Sequence, residues 1–416
     1  MFGTNGDLYG TTYVGGPGGF GTIFEVTTNG ALTNLVSFAW TNGSEPEAGL
    51  TLGGDGNFYG VTIGGGTNGY GTVFQMTPSG TLTTFHSFSG YDGSCPDAPL
   101  TLGADGNLYG TTRTSLPGGN GTAFEITTGG VFTTLAYFGN AYGTDPQSGL
   151  VQDTNGDYYG TTEMGGTQNL GTVYQMTPSG SVTTLASFNL TNGASPVSEL
   201  TLGPNGLLYG TTYDGGTNDL GTIFTVDLYG NLTTLISFNG TNGSNPQSKM
   251  VLWSDGNFYG TTCRGGANDS GTIFQMTPDG TLTVLVNLTT TNSPADLLMG
   301  QDGNLYGDNF NGGSSQKGVI FQLIAGETVS NLVTFNTTAY NPVAVLIQGD
   351  DGDFYGTGTG GSGTIFKTMA PSSDSPSVLA TFGTVTGSLP TAPLMQGSDS
   401  NFYSSTMMGG GLWKRV

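Results

Sequence analysis

Positive charge and histidine are nearly missing from this chain. Seven Lys and Arg stand against 29 Asp and Glu, so the net charge is −22 although only 9% of residues are charged, and His86 is the single histidine. Seven cations spread over 416 residues cannot form the basic patch that phosphates or anionic headgroups require, which excludes nucleic acid and anionic membrane surfaces as partners. One histidine likewise leaves no multi-histidine metal centre. No apolar run approaches the ~18 residues of a membrane helix, so membrane insertion by a helix is not expected. The opening Met1-Phe2-Gly3-Thr4-Asn5 has neither the basic head nor the apolar run of a signal peptide, and a soluble chain is expected.

What fills the chain instead is glycine, 76 of 416 residues, with abundant Thr and Asn. That is a composition of turns and strands rather than helices. Aromatic residues make up 11%, supplying the large apolar groups that a disordered glycine-rich tract lacks. The length exceeds the ~250–300 residues over which a single core grows. It suits either several domains or a repeat array in which each unit brings its own core.

An aromatic motif decides for the array. Its tyrosine recurs at Tyr9, Tyr59, Tyr109, Tyr159, Tyr209, Tyr259, Tyr306, Tyr355 and Tyr403, a period of about 50 residues that signals a repeat architecture. The repeats start near residues 1, 49, 99, 149, 199, 249, 297, 345 and 393 of a single domain, 1–416. Within residues 49–88 four short strands are predicted. Strand A is Leu50-Thr51-Leu52, B runs from Asn57 to Thr62, C from Thr72 to Thr77, and D from Leu82 to Phe88. Asp55-Gly56 and Pro78-Ser79-Gly80 supply the tight turns, since glycine provides the positive φ that hairpins need. Each repeat is therefore an antiparallel meander.

Adjacent residues on a strand point to opposite faces, so Phe58 with Tyr59 and Val73 with Phe74 make both faces of the meander apolar. A sheet covered on both sides and repeated in tandem fits the stacked four-stranded blades of one large β-propeller. The β-solenoid is the alternative, though its coils are usually shorter. Counting strands from a shortened A at Met1-Phe2 to a C at residues 411–416 gives nine A, B and C strands but eight D strands. The fold expected is all-β, a propeller of nine blades with the last lacking its outer strand. Eight blades is the alternative.

The run Asp55-Gly-Asn-Phe-Tyr-Gly60, Gly64-Gly65-Gly66, Gly71-Thr-Val-Phe-Gln-Met-Thr-Pro-Ser-Gly80 and Leu82-Thr-Thr-Phe-His-Ser-Phe88 resembles the Gloeobacter/Verrucomicrobia tandem repeat of bacterial "choice-of-anchor" surface proteins, in register over essentially the whole chain. The resemblance implies an exported, propeller-like protein, extracellular or at the cell surface. The C-terminal anchor of that pattern is not seen in this sequence.

In an A-B-C-D blade the B–C and D–A connections share one face, and here they are the long, variable ones. Each of eight D–A connectors carries a proline: Pro46, Pro96, Pro146, Pro196, Pro246, Pro294, Pro342 and Pro390. Binding favours loops on a rigid scaffold, while a proline that restricts the approach to strand A explains the same residue as a spacer. Four residues after the motif tyrosine one position visits every chemical class: Tyr13, Ile63, Arg113, Glu163, Tyr213, Cys263, Phe310, Thr359 and Met407. Tyr13, Arg113, Glu163 and Tyr213 are the candidate ligand contacts, of types that bind sugars or peptides. Drift at an exposed site accounts for the same variability.

The turn acids Asp55, Asp105, Asp255, Asp302 and Asp351 invite a calcium reading, which Asp-Gly hairpin chemistry answers without metal. Only Asp350, Asp351 and Asp353 are dense enough to mark a weak calcium site, and no other cofactor is implied. His86 occupies a strand D position matched by Val36, Ala136 and Ala186, a structural place rather than a catalytic one. Cys95 and Cys263 fall in different parts of different repeats, so free thiols are expected. Sequons such as Asn42, Asn231, Asn239 and Asn287 arise readily in an Asn/Gly/Thr-rich chain. A glycosidase needs two acids about 5–10 Å apart, for which Glu163 with Asp214 is available. The leading expectation is a non-enzymatic extracellular scaffold or binding module for a glycan or cell-surface polymer. The alternatives are a polysaccharide hydrolase or lyase, and a structural protein assembling through an open edge at residues 411–416. The oligomeric state stays open.

Overall fold

The computed structural model describes residues 8–12, 16–26, 32–46, 48–288 and 297–299, together with the strand segments of the remaining chain. Every regular element among them is a β-strand, and no helix is long and apolar enough to cross a membrane. The meander at residues 49–88 forms as strands A (Thr51–Leu52), B (Phe58–Thr62), C (Thr72–Met76) and D (Leu82–Ser87), antiparallel in that order. Thr51 pairs with Tyr59, Phe58 with Met76, and Gly60 with Phe74. The Gly56 N–H donates to Gly53 O at 3.0 Å and the Gly80 N–H to Thr77 O at 2.9 Å, closing the two short turns.

Among the described residues seven sheets carry all four strands, the first carries three and the last two. These are β-propeller blades, but the expected count of nine, or eight, is corrected, because complete blades fall short of both. The motif tyrosine counts copies, whereas a blade is complete only where all four strands pair. Among the described residues, the first copy shows strands B, C and D and the last shows A and B. The edge expected at residues 411–416 lies outside the described residues. The chain divides into two units, Met1–Thr27 with Ala31–Gly216 and Ile223–Thr234, and Thr28–Gly30 with Thr217–Thr222 and Leu235–Val416. Each is a run of such blades.

Cores lie between consecutive blades, as two apolar faces require. Phe58, Phe74 and Met76 pack back onto Tyr9, Ile23 and Phe38, while Tyr59, Val73 and Phe88 pack forward onto Leu100, Leu108, Phe124 and Ile126. The Tyr9 and Phe58 ring centroids are 4.0 Å apart, and those of Tyr109 and Tyr158 4.2 Å. At ~1.5–3 kcal/mol per buried large side chain, these seams dominate the stability of a blade. The glycine of the Phe-Tyr-Gly motif has a steric cause: a Cβ on Gly60 would meet the Phe74 ring at 2.5 Å, so only glycine lets that ring cross strand B.

The motif tyrosine is buried along its ring and polar at its tip. Tyr59 Oη donates to Asp55 Oδ2 at 2.8 Å and accepts from Gln75 Nε2 at 2.8 Å. Tyr109 with Asp105 and Tyr259 with Asp255 repeat the bond at 2.8 Å. In two copies asparagine replaces the acid, and Asn155 and Asn205 donate to Tyr159 and Tyr209 at 2.7 and 2.8 Å. Burial disfavours the charge on Asp55, yet hydrogen bonds from Tyr59 and Asn57 outweigh it and hold the carboxyl below its usual range. Burial, with the Asp55 charge beside it, pushes the Tyr59 hydroxyl up to about 12.

Successive blades are joined by a recurrent backbone staple. Glu45, Cys95, Asp145, Ser195 and Asn245, each just before a connector proline, have φ between 54° and 60°. The N–H of each donates to a carbonyl that precedes strand C of the preceding blade, at Phe20, Tyr70, Asn120, Leu170 and Leu220, over 2.8–3.3 Å. Each carbonyl accepts from the N–H at the end of the next strand B, from Ile63, Arg113, Glu163, Tyr213 and Cys263, over 3.0–3.3 Å. Beside the staple, buried hydroxyls of strands B and C pair, as in Thr162 with Thr172 at 2.8 Å. Gly143 of the connector presses onto that pair at φ +99°, where an added Cβ would lie 2.0 Å from Thr162 Oγ1.

Three substitutions test this account by chemical denaturation. Gly143→Ala, barred by both φ and space, destabilises by about 2–4 kcal/mol. Tyr59→Phe strips a partner from Asp55 and Gln75 and costs ~1–2 kcal/mol. Tyr174→Phe has the opposite sign: no described group bonds its fully buried hydroxyl, and the matching positions are Phe74, Phe124, Phe224 and Phe274, so it stabilises by ~1 kcal/mol.

Candidate ligand-binding face

The staple fixes the backbone at the variable position and leaves its side chain free to differ. In each of the five stapled copies that residue is half-buried. Two of the candidate contacts meet through a third residue. Arg113 sends Nε to Asp145 Oδ1 at 3.0 Å and Nη2 to Asp145 Oδ2 at 3.4 Å, a two-pronged fork, while its Nε lies 3.6 Å from Asp97 Oδ2. Asp145 is the staple residue of the following blade, so this ion pair crosses a blade seam. On that following blade Gln147 Nε2 donates to Glu163 Oε2. Five side chains thus converge, one cation, three carboxylates and an amide.

Their electrostatics are unequal. The hydrogen bond to Asp145 is the largest influence on Arg113 and raises its pKa further. Glu163 is shifted up, first by burial and then by the Asp145 charge, with the Arg113 charge and the Gln147 donor pulling the other way. A carboxyl–carboxyl hydrogen bond to Asp145 adds to the rise. The acid set beside Glu163 is therefore Asp145. Asp214, the partner considered from sequence, forms a backbone bridge with Ala194.

Tyr213 sits at the equivalent stapled position, its N–H on Ser195 O at 3.0 Å. Tyr13 and the weak calcium candidates Asp350, Asp351 and Asp353 lie outside the described residues. Asp55, Asp105 and Asp255 are bonded to motif tyrosines. Among the described residues no group of three or more His, Cys, Asp or Glu is arranged to hold a metal ion. Neither cysteine is in a disulfide, and Cys263 Sγ donates to Gln247 Oε1 at 3.2 Å.

His86 holds strands together. Its ring stacks on Phe132 of the next blade at 3.6 Å and 2°. Its Nε2 lies 2.7 Å from Asp92 Oδ2, and Asp92 Oδ1 in turn accepts from the Ser89 N–H and Oγ–H. Burial lowers the His86 pKa despite the neighbouring carboxylate.

Sequence comparison among copies found position 113 and its equivalents but missed Asp97, Asp145 and Gln147. These flank connector prolines, where Glu45 and Glu47, Cys95 and Asp97, Asp145 and Gln147, Ser195 and Val197, and Asn245 and Gln247 vary as widely. The same comparison, applied one residue to either side of each proline, finds them.

Fold and face together define a β-propeller repeat protein that carries variable polar side chains on an invariant loop backbone. The chain belongs to the Gloeobacter/Verrucomicrobia repeat family, whose pattern matches residues 1–163, 101–295, 145–342 and 254–413. No curated protein matches it. Among solved structures it is similar to a catalytically inactive virginiamycin B lyase from Staphylococcus aureus with quinupristin, at 18% identity and a TM-score of 0.48 over 80% of this chain and 94% of that one. A putative 6-phosphogluconolactonase from Bacteroides fragilis shares 16% identity at a TM-score of 0.48, over 90% of this chain and 94% of that one. The extracellular domain of a putative hybrid two component system from B. thetaiotaomicron shares 12% at 0.40, over 95% and 57%. Likenesses this distant carry no argument about activity.

Because its environment favours the neutral acid, Glu163 opposes folding once ionised. Its folded pKa lies above the unfolded value, so stability is lost as pH rises through the folded pKa and is untouched below the unfolded one. Glu163→Gln therefore raises the thermal midpoint at pH 7, and the gain vanishes as pH falls below about 4.5. Melting curves from pH 4 to 8 check this.

Proposed function

We propose that this protein is a non-enzymatic binding module of the cell exterior that presents its B–C/D–A loop face to a glycan or another cell-surface polymer. The observation that carries the reading is the constellation of Arg113, Asp145 and Glu163 with Asp97 and Gln147. A guanidinium, carboxylates and an amide are planar groups that each engage two hydroxyls at once, the pattern a sugar diol offers. The staple holds them on rigid backbone, so little ordering entropy is lost on binding. The single histidine is committed to Phe132 and Asp92, which favours binding over histidine-based catalysis.

A screen of immobilised glycans and cell-wall fractions tests this. Wild type is expected to retain at least one glycan, and an Arg113→Ala/Glu163→Gln double variant to hold it at least ~10-fold more weakly, as loss of charged hydrogen bonds implies. No retention above background on any glycan would sink the proposal.

One observation favours a second reading, a polysaccharide hydrolase or lyase. Glu163 has a raised pKa and a carboxylate neighbour in Asp145, the arrangement that keeps a general acid protonated. Release of reducing or unsaturated ends from the retained glycan, abolished by Glu163→Gln, distinguishes it from simple binding.

A further inference from the structure

Large side chains stand out of the same loop face on three consecutive D–A connectors. Trp40 is 49% exposed, Tyr91 65% and Tyr142 43%. Their backbones are fixed. Trp40 O accepts from the Gly66 N–H at 2.6 Å, Asp92 O beside Tyr91 accepts from Thr122 Oγ1 at 3.0 Å, and Tyr142 O accepts from Thr172 Oγ1 at 2.9 Å. The neighbouring loops add apolar surface. Leu116, 42% exposed, bonds its N–H to Gly90 O beside Tyr91, and Met164, 45% exposed, pairs with Thr144 beside Tyr142. Isolated exposed hydrophobes need no explanation. Aromatics on three successive connectors, each one residue further along its copy than the last and each on a tethered backbone, form a grouping that does.

The surroundings select the occupant. Residues 39–44, 89–94 and 139–144 consist otherwise of Gly, Ala, Ser, Thr and Asn, with one charge, Asp92. Asp92 is already bonded to His86 and Ser89. A surface of aromatic rings set among hydroxyls and amides matches the alternating chemistry of a pyranose, whose C–H face stacks on a ring while its equatorial hydroxyls meet polar groups. A chain carrying −22 disfavours an anionic polymer. We infer that Trp40, Tyr91 and Tyr142 form a stacking row for an extended, neutral polysaccharide, one ring per blade. This rests on the glycan reading above and narrows it to a ligand class and to residues outside the Arg113 constellation.

The test uses the full chain in affinity electrophoresis through gels containing a neutral β-glucan, a neutral galactomannan, alginate, polygalacturonate or chitosan. Wild type is expected to be retarded by a neutral polysaccharide and not by alginate or polygalacturonate. Each single alanine variant at the three positions weakens binding ~3–10-fold, and the triple variant on the order of 100-fold. Tyr91 is the most exposed of the three, so the Tyr91→Ala melting temperature stays near wild type, whereas removing Trp40, in edge contact with Phe20, is expected to lower it somewhat; Tyr91→Phe, which keeps the ring, restores most of the affinity. Retardation by a neutral glycan that the triple variant keeps would overturn the row while leaving the glycan reading standing. Retardation by the anionic polymers, or by chitosan alone, would overturn the ligand class. No retardation in any gel would remove both. Sedimentation of wild type and triple variant covers a further outcome: an oligomer that the triple variant dissolves, with no change in glycan binding, makes the row a self-association surface instead.

Discussion

At five successive seams each blade is tied to its neighbour through one residue held in a conformation that side chains avoid. A non-glycine residue near φ +57° costs roughly 1–2 kcal/mol, and the following proline further narrows the choices of the residue before it. Two backbone hydrogen bonds at a net ~1 kcal/mol each barely offset that. The balance turns on the alternative. Were the connector to relax, an N–H and a C=O in a packed seam would lose their partners, at ~1–3 kcal/mol apiece. The five stapled residues at positions 45 to 245 are therefore held by the penalty of leaving the seam unpaired. The aromatic contacts on either side, Tyr9 on Phe58 and Phe88 on Phe124, keep that seam closed.

The staple also explains why the candidate site lies where it does. Its residue reaches back to one blade through N–H and forward to the next through C=O, so its side chain stands at the seam. In the copy where that residue is Asp145, the blade behind offers Arg113 and the blade ahead offers Glu163 and Gln147. In other copies the same backbone carries Glu45, Cys95, Ser195 or Asn245. Chemistry varies on a constant frame, and variation there leaves the hydrogen bonds of the frame intact.

Much of the blade was legible in the sequence because its causes are local. Phe58 and Tyr59 must face opposite ways on any strand, and Asp55-Gly56 makes a tight turn wherever it occurs. The number of complete blades was not legible, since strand-like segments can be counted in the sequence but whether four of them pair in each copy is decided by the fold. The role of the turn acid lay half in view. Asp or Asn four residues before the tyrosine, as at Asp55 with Tyr59 and Asn155 with Tyr159, is a visible spacing. Only the fold shows the hydroxyl of a buried ring coming back to that turn. Position 113 showed itself through variability; Asp145 varies as widely, but its pairing with Arg113 on one blade and Glu163 on the next is visible only in the fold.

The two sets of exposed chemistry on the loop face differ in what they demand of a ligand. The Arg113 group is charged and half-buried at a seam, so a ligand engaging it must displace existing ion pairs and gains only the difference. The connector rings are neutral and 43–65% exposed on tethered backbone, so burying them returns their exposed apolar area as binding energy. Under the proposed neutral-glycan reading, the rings are the source of affinity. Under the same proposal the seam cluster, whose geometry is fixed to two blades, supplies selectivity among ligands that the rings alone would not distinguish.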